Sequence, residues 1–148
     1  MAAVRRAEAT WSGDLQSGKG TVSAVTSGAF AQLPVTWAAR TETADGRTSP
    51  EELVAAAHAA CFSMALSNGL AKAGHPAERL DVSAEVTFDN AGGAGWRVTS
   101  SALTVRGRVP GMSAKDFAAA AEAAKDGCPI SNALAGNVDL SVNASLEG

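Results

Sequence analysis

Tyrosine is absent from this 148-residue chain, aromatic residues make up only 5% of it, and cysteine occurs twice. So few rings exclude the stacking platforms on which single-stranded nucleic acids are held. An excess of one charge is also lacking: 12 Lys and Arg stand against 15 Asp and Glu, for a formal net charge of −3. The basic residues are scattered, which leaves no electrostatic footprint for nucleic acid or an anionic membrane surface. No apolar stretch follows Arg5 and Arg6, so the core of a secretory leader is missing. No window of the sequence approaches the roughly 20 apolar residues of a membrane span. The expectation is a cytoplasmic chain with neither nucleic acid nor membrane among its partners, in a reducing compartment that disfavours a permanent disulfide. The length suits one domain, 1–148. In that setting Cys61 and Cys128 read either as small buried hydrophobes or as reactive thiols.

What is present is a clear alternation of element types. Segments Arg5–Trp11 and Gly20–Ala24 flank turn residues, a third strand is expected over Leu33–Arg40, and Thr43–Ser49 forms a polar loop. Ser49-Pro50-Glu51-Glu52 then gives the strongest helix start: a capping serine, a proline with no amide to orphan, and acidic residues at the positive end of the dipole. The helix is expected over Glu51–Ala73, with Gly74 as its stop. Its middle is apolar nearly all round, which predicts a buried central helix. Leu80, Val82, Ala84, Val86 and Phe88 alternate as a half-buried strand. Trp96 and Val98 share one parity and Leu103, Val105 and Val109 the other, so a bulge is expected near Ser100-Ser101. A helix over Ala114–Asp126, capped by Ser113, leads to Cys128-Pro129 at the start of a short helix. Val138 to Leu146 alternates as a last strand. The predicted fold class is α+β, with antiparallel-type sheets packed around a long buried central helix.

Two stretches carry a resemblance. Ser49-Pro50-Glu51-Glu52-Leu53, continued by Ala57-His58-Ala59-Ala60-Cys61-Phe62-Ser63-Met64-Ala65-Leu66, and then Gly127-Cys128-Pro129-Ile130-Ser131, resemble the two cysteine motifs of the OsmC/Ohr peroxidases. (The names stand for osmotically inducible protein C and organic hydroperoxide resistance.) The opening Trp11, Gly13-Asp14-Leu15 and Ser17-Gly18-Lys19-Gly20-Thr21-Val22-Ser23 resembles the OsmC branch, and the likeness runs along essentially the whole chain. The resemblance implies that Cys61 is the peroxidatic cysteine and Cys128 the resolving one. It implies that Glu51 orients an arginine, for which Arg40 is the candidate and Arg47 its competitor. It further implies an intertwined homodimer with its sites at the subunit interface, and the reduction of organic hydroperoxides, more weakly of hydrogen peroxide, in oxidative or osmotic stress. No cofactor is implied, and the external reductant would be a dithiol of lipoyl type.

The chemistry explains why such residues are needed. A free thiol is only about 3% thiolate at pH 7. Cys61 lies about three turns into its helix, beyond reach of the dipole, and burial raises a thiol's pKa. A cation has to be imported, and arginine keeps its charge when desolvated. Full ionisation would gain roughly 30-fold, most of it offset by lower nucleophilicity. The arginine must therefore act chiefly on the O–O bond and the departing alkoxide. Glu51 and Cys61, ten residues apart, are about 15 Å apart along one helix. That distance predicts that the Arg40 and Glu51 serving a given Cys61 come largely from the partner subunit. A zinc site from His58, Cys61 and Cys128 would want a further ligand, and His75 is the only other histidine. His58 reads instead as a satisfied core or interface histidine. The rival from another class is a non-catalytic dimeric binding protein with two structural thiols.

Overall fold

Turn chemistry organises the first part of the chain. In the computed structural model, which describes residues 1–147 apart from the side chain of Ala91, β1 (Ala7–Ser12) pairs antiparallel with β2 (Lys19–Ala24), with Trp11 opposite Gly20. The Asp14 carboxylate accepts the amide and hydroxyl of Ser17 at 2.7 and 2.9 Å and closes the turn. Those bonds hold its pKa below the usual value. Gly20 has no substitute: a Cβ there would stand 2.3 Å from the Thr10 carbonyl oxygen and 2.8 Å from the Trp11 ring.

β3 (Leu33–Val35) pairs antiparallel with β2. The strand expected to continue to Arg40 ends there, because Thr36 turns the chain into a helix. Its hydroxyl accepts the Ala39 amide at 3.1 Å, and Trp37–Thr41 forms α1. Alternating Val35 and Trp37 suggest a strand, but a threonine cap followed by alanines and arginine favours the helix locally.

The long helix α2 runs from Pro50 to Lys72. Ser49 caps it as expected, accepting the Glu52 amide at 3.1 Å, while the Glu52 carboxylate accepts the Thr48 hydroxyl at 2.7 Å. The chain forms two compact units, Met1–Leu53 and Val54–Gly148, so α2 begins in the first and continues through the second.

In the second unit β4 (Arg79–Asp89) pairs antiparallel with β5 (Arg97–Arg108). Thr87 faces Ser100 and Phe88 faces Val98, which leaves Thr99 as the extra residue of a bulge. That is the parity switch read from the sequence. Helices α3 (Ala114–Gly127, capped by Ser113) and α4 (Pro129–Leu134) then cross over, and β6 (Asp139–Leu146) joins β5 in parallel. The sheet β4-β5-β6 is therefore mixed, since a helical crossover returns the chain in its original direction.

The core lies in this second unit. His58, Phe62, Leu66 and Leu70 are fully buried at a spacing of four, and the three apolar ones share a cluster with Leu103, Val105, Phe117 and Ala121. Burial of each large side chain contributes about 1.5–3 kcal/mol. The expectation of burial all round α2 is not met within one chain, because Met64 on another face is 70% exposed. By length and composition α2 is also apolar enough to cross a membrane, contrary to the sequence expectation. Its packed stripe is that of a core helix.

Candidate active site

Arg40 sits in the last turn of α1, and its guanidinium forks onto Glu51 in the first turn of α2. Nε lies 3.0 and 3.1 Å from the two carboxylate oxygens, and Nη2 lies 2.8 Å from Oε1. Glu51 is only 6% exposed while the Arg40 side chain is 31% exposed, so the bidentate clamp sets a partly solvated cation on a nearly buried carboxylate. The Arg40 guanidinium carbon also lies 5.8 Å from the centroid of the Trp37 ring. Arg47 binds Asp45 instead, at 3.3 Å, so the structure pairs Glu51 with Arg40 and not with its competitor. Beside Arg40 an apolar cleft of about 340 Å³ is lined by Trp11, Leu15, Val35, Trp37 and Pro50.

The second constellation is built on sulfur. Cys61, one turn after His58 on α2, is partly buried; Cys128, between α3 and α4, has no exposed surface; both are free thiols. The fold brings the two near enough for each to act on the other's ionisation. Burial pushes the Cys61 thiol above its ordinary value, and the neighbouring Cys128 adds to that. Burial also opposes ionisation of Cys128, but Cys61, the Ser131 amide and hydroxyl and the Ile130 amide outweigh it and bring that thiol below its ordinary value. The Cys128 side chain makes no cap hydrogen bond to α4. Donors converging on a thiolate still lower its energy at longer range.

His58 is fully buried between two hydroxyls. Nδ1 faces Ser101 Oγ at 2.6 Å and Nε2 faces Ser131 Oγ at 2.8 Å. Both ring nitrogens are thus engaged by serines, and burial lowers the imidazole's pKa. Sequence reasoning found His58 but missed its partners. The signal was there: Ser101 occupies the inward parity of Leu103 and Val105, and a polar residue on a buried face implies a partner.

The four candidates therefore form two pairs, Arg40 with Glu51 and Cys61 with Cys128. Ten residues of continuous helix, about 15 Å, separate Glu51 from Cys61.

Comparison with known proteins adds a consistent finding. A family described as "OsmC-like protein" matches residues 43–143. The chain is 43% identical over 136 residues to the peroxiredoxin OsmC of Escherichia coli K12, covering 92% of this chain and 93% of that one. It is 35% identical over 97 residues to an organic hydroperoxide resistance protein of Xanthomonas axonopodis pv. citri, covering 64% and 65%. A solved organic hydroperoxide resistance protein from Elizabethkingia anophelis shares its fold with a TM-score of 0.74, at 25% identity over 99% and 100% of the two chains.

Proposed function

The chain belongs to the OsmC-like family, and from that premise we propose that it is a thiol-dependent peroxidase acting through Cys61 and Cys128. The observation that carries the reading is that two free thiols, far apart in sequence, meet at one hydrophobic cluster, Cys128 within it and Cys61 packed against it. Greater identity to the OsmC relative, over more of the chain, supports the OsmC branch.

In the reaction the Cys61 thiolate attacks the outer oxygen of a hydroperoxide. The O–O bond breaks, the alkoxide takes a proton and leaves as an alcohol, and Cys61 becomes a sulfenic acid. Cys128 then displaces hydroxide from that sulfur, which leaves as water, and a disulfide forms. An external dithiol of lipoyl type returns both thiols. Arg40, held by Glu51, supplies the positive charge that the departing alkoxide needs. Because the helix separates Glu51 from Cys61, the Arg40–Glu51 clamp of one subunit serves the Cys61 of the other in a homodimer. The apolar cleft beside Arg40 favours organic hydroperoxides over hydrogen peroxide. A reducing cytoplasm, and a task in oxidative or osmotic stress, suit such a cycle.

The test is hydroperoxide consumption with dihydrolipoamide or a thioredoxin-type reductant. Faster consumption of cumene hydroperoxide than of hydrogen peroxide is expected. Consumption no faster than buffer would favour the binding protein with structural thiols.

A further inference from the structure

The buried imidazole on α2 has no part in the cycle just described, yet the fold surrounds it with partners. Its two nitrogens face Ser101 on β5 and Ser131 on α4. Ser131 lies one helical turn beyond Cys128, at the third position after that cap, where side chains meet. His58 in turn lies one turn before Cys61 on α2. Hydrogen bonds therefore run from Ser101 through His58 to Ser131, which stands one turn from Cys128 on α4. Ser131 and His58 have no exposed surface to lend to water.

We propose that His58 is a positioning residue for the resolving thiol: it donates from Nε2 to Ser131 Oγ, which leaves the Ser131 hydroxyl hydrogen to turn to Cys128 when that sulfur ionises. Ser101 then donates to Nδ1 and fixes this tautomer. A neutral imidazole suffices, and burial keeps it neutral. In the resolving step the Cys128 sulfur attacks the sulfenic sulfur of Cys61, the S–S bond forms and the S–O bond breaks. Hydroxide leaves and takes up the proton given by the Cys128 thiol, forming water. One sulfur is oxidised and the other reduced by the same amount. The Ser131 hydroxyl holds Cys128 as the attacking thiolate, assisted by the Ile130 and Ser131 amides.

The titratable groups facing Cys128 are Cys61 directly and His58 through Ser131. The charged residues of the surrounding elements are Glu51, Glu52 and Lys72 at the ends of α2, and Arg97, Arg106 and Arg108 on exposed positions of β5. Lys115 and Asp116 open α3, Lys125 is tied to Glu122 and Asp126 on α3, and Asp139 is exposed on β6.

The inference rests on the peroxidase reading, and stopped-flow with one equivalent of cumene hydroperoxide separates the two. Formation of sulfenic acid on Cys61 tests the reading; the later disulfide-forming phase tests His58. In Ser131→Ala and His58→Leu the pH midpoint of the second phase should rise by about one unit, slowing it roughly tenfold near pH 7. The first phase should change far less. His58→Gln, whose amide can reach where Nε2 stands, should restore much of the rate. A midpoint unchanged in folded variants would overturn the inference. If sulfenic acid never forms in the unaltered protein, the peroxidase reading falls instead. A measurement without variants is the ¹⁵N spectrum of the histidine ring, where the Nε2–H tautomer is expected. The Nδ1–H tautomer would contradict the proposal.

Discussion

The first unit handles charge and the second handles sulfur, and each does so by a different physical route. Around Glu51 a full positive charge is held by a bidentate clamp against a nearly buried carboxylate. Around Cys128 the donors are hydroxyl, thiol and amide groups, with no formal charge needed. A guanidinium keeps its charge under desolvation, which suits the transition-state role proposed for Arg40. Modest dipoles and burial are enough to separate the two thiols, with Cys61 raised and Cys128 lowered. On the proposed reading, the difference assigns the clamp to the transition state and the neutral network to the resolving sulfur.

The contrast can be broken most forcefully at the sulfurs. Cys61→Ser should remove hydroperoxide turnover, by about a thousandfold or more in a peroxide-consumption assay. Cys128→Ser should permit one turnover and then stall with sulfenic acid on Cys61, visible by dimedone labelling. Packing around the sulfur unit is tested by Phe62→Ala, which should lower unfolding free energy by about 3–5 kcal/mol in denaturant melts. Removing the clamp's charge in Arg40→Met should lower kcat/KM by about 10²–10³.

The pH dependence of that last variant sharpens the comparison further. Burial raises the Cys61 pKa, so at neutral pH the sulfur is mostly thiol, and with the proposed cation lost only the Ile130 amide opposes this. Its oxidation rate should climb with pH between about 7 and 9 more steeply than in the unaltered protein. Arg47→Met, whose side chain is partly exposed and tied to Asp45, should change kcat/KM by no more than about twofold.

Much of this was legible in the chain. Ser49-Pro50 announces α2, Ser113 announces α3, and the parity change from Val98 to Leu103 announces a bulge near Ser100-Ser101, next to its place at Thr99. These are local signals, set by caps and side-chain alternation. The family resemblance marked the cysteine motifs, the Glu51 carboxylate and two candidate arginines, and only the structure pairs Glu51 with Arg40 and not Arg47. Pairing direction was not readable: alternation in β6 is the same whether it runs parallel or antiparallel to β5. Helix α1 was hidden because Val35-Thr36-Trp37 alternates like a strand, and only the Thr36 hydroxyl bond decides otherwise. The one-sided burial of α2 could not be seen either, since a helix apolar all round does not say which faces its own chain covers. The partners of His58 come from residues 43 and 73 positions away, beyond any local pattern.

The most direct test of the central claim is to treat the reduced protein with one equivalent of an organic hydroperoxide and map its cysteines by peptide mass spectrometry. The account predicts rapid loss of both thiols and a linked Cys61–Cys128 peptide lighter by two hydrogens, reversed by a dithiol. Both cysteines recovered as free thiols, with the hydroperoxide unconsumed, would contradict it.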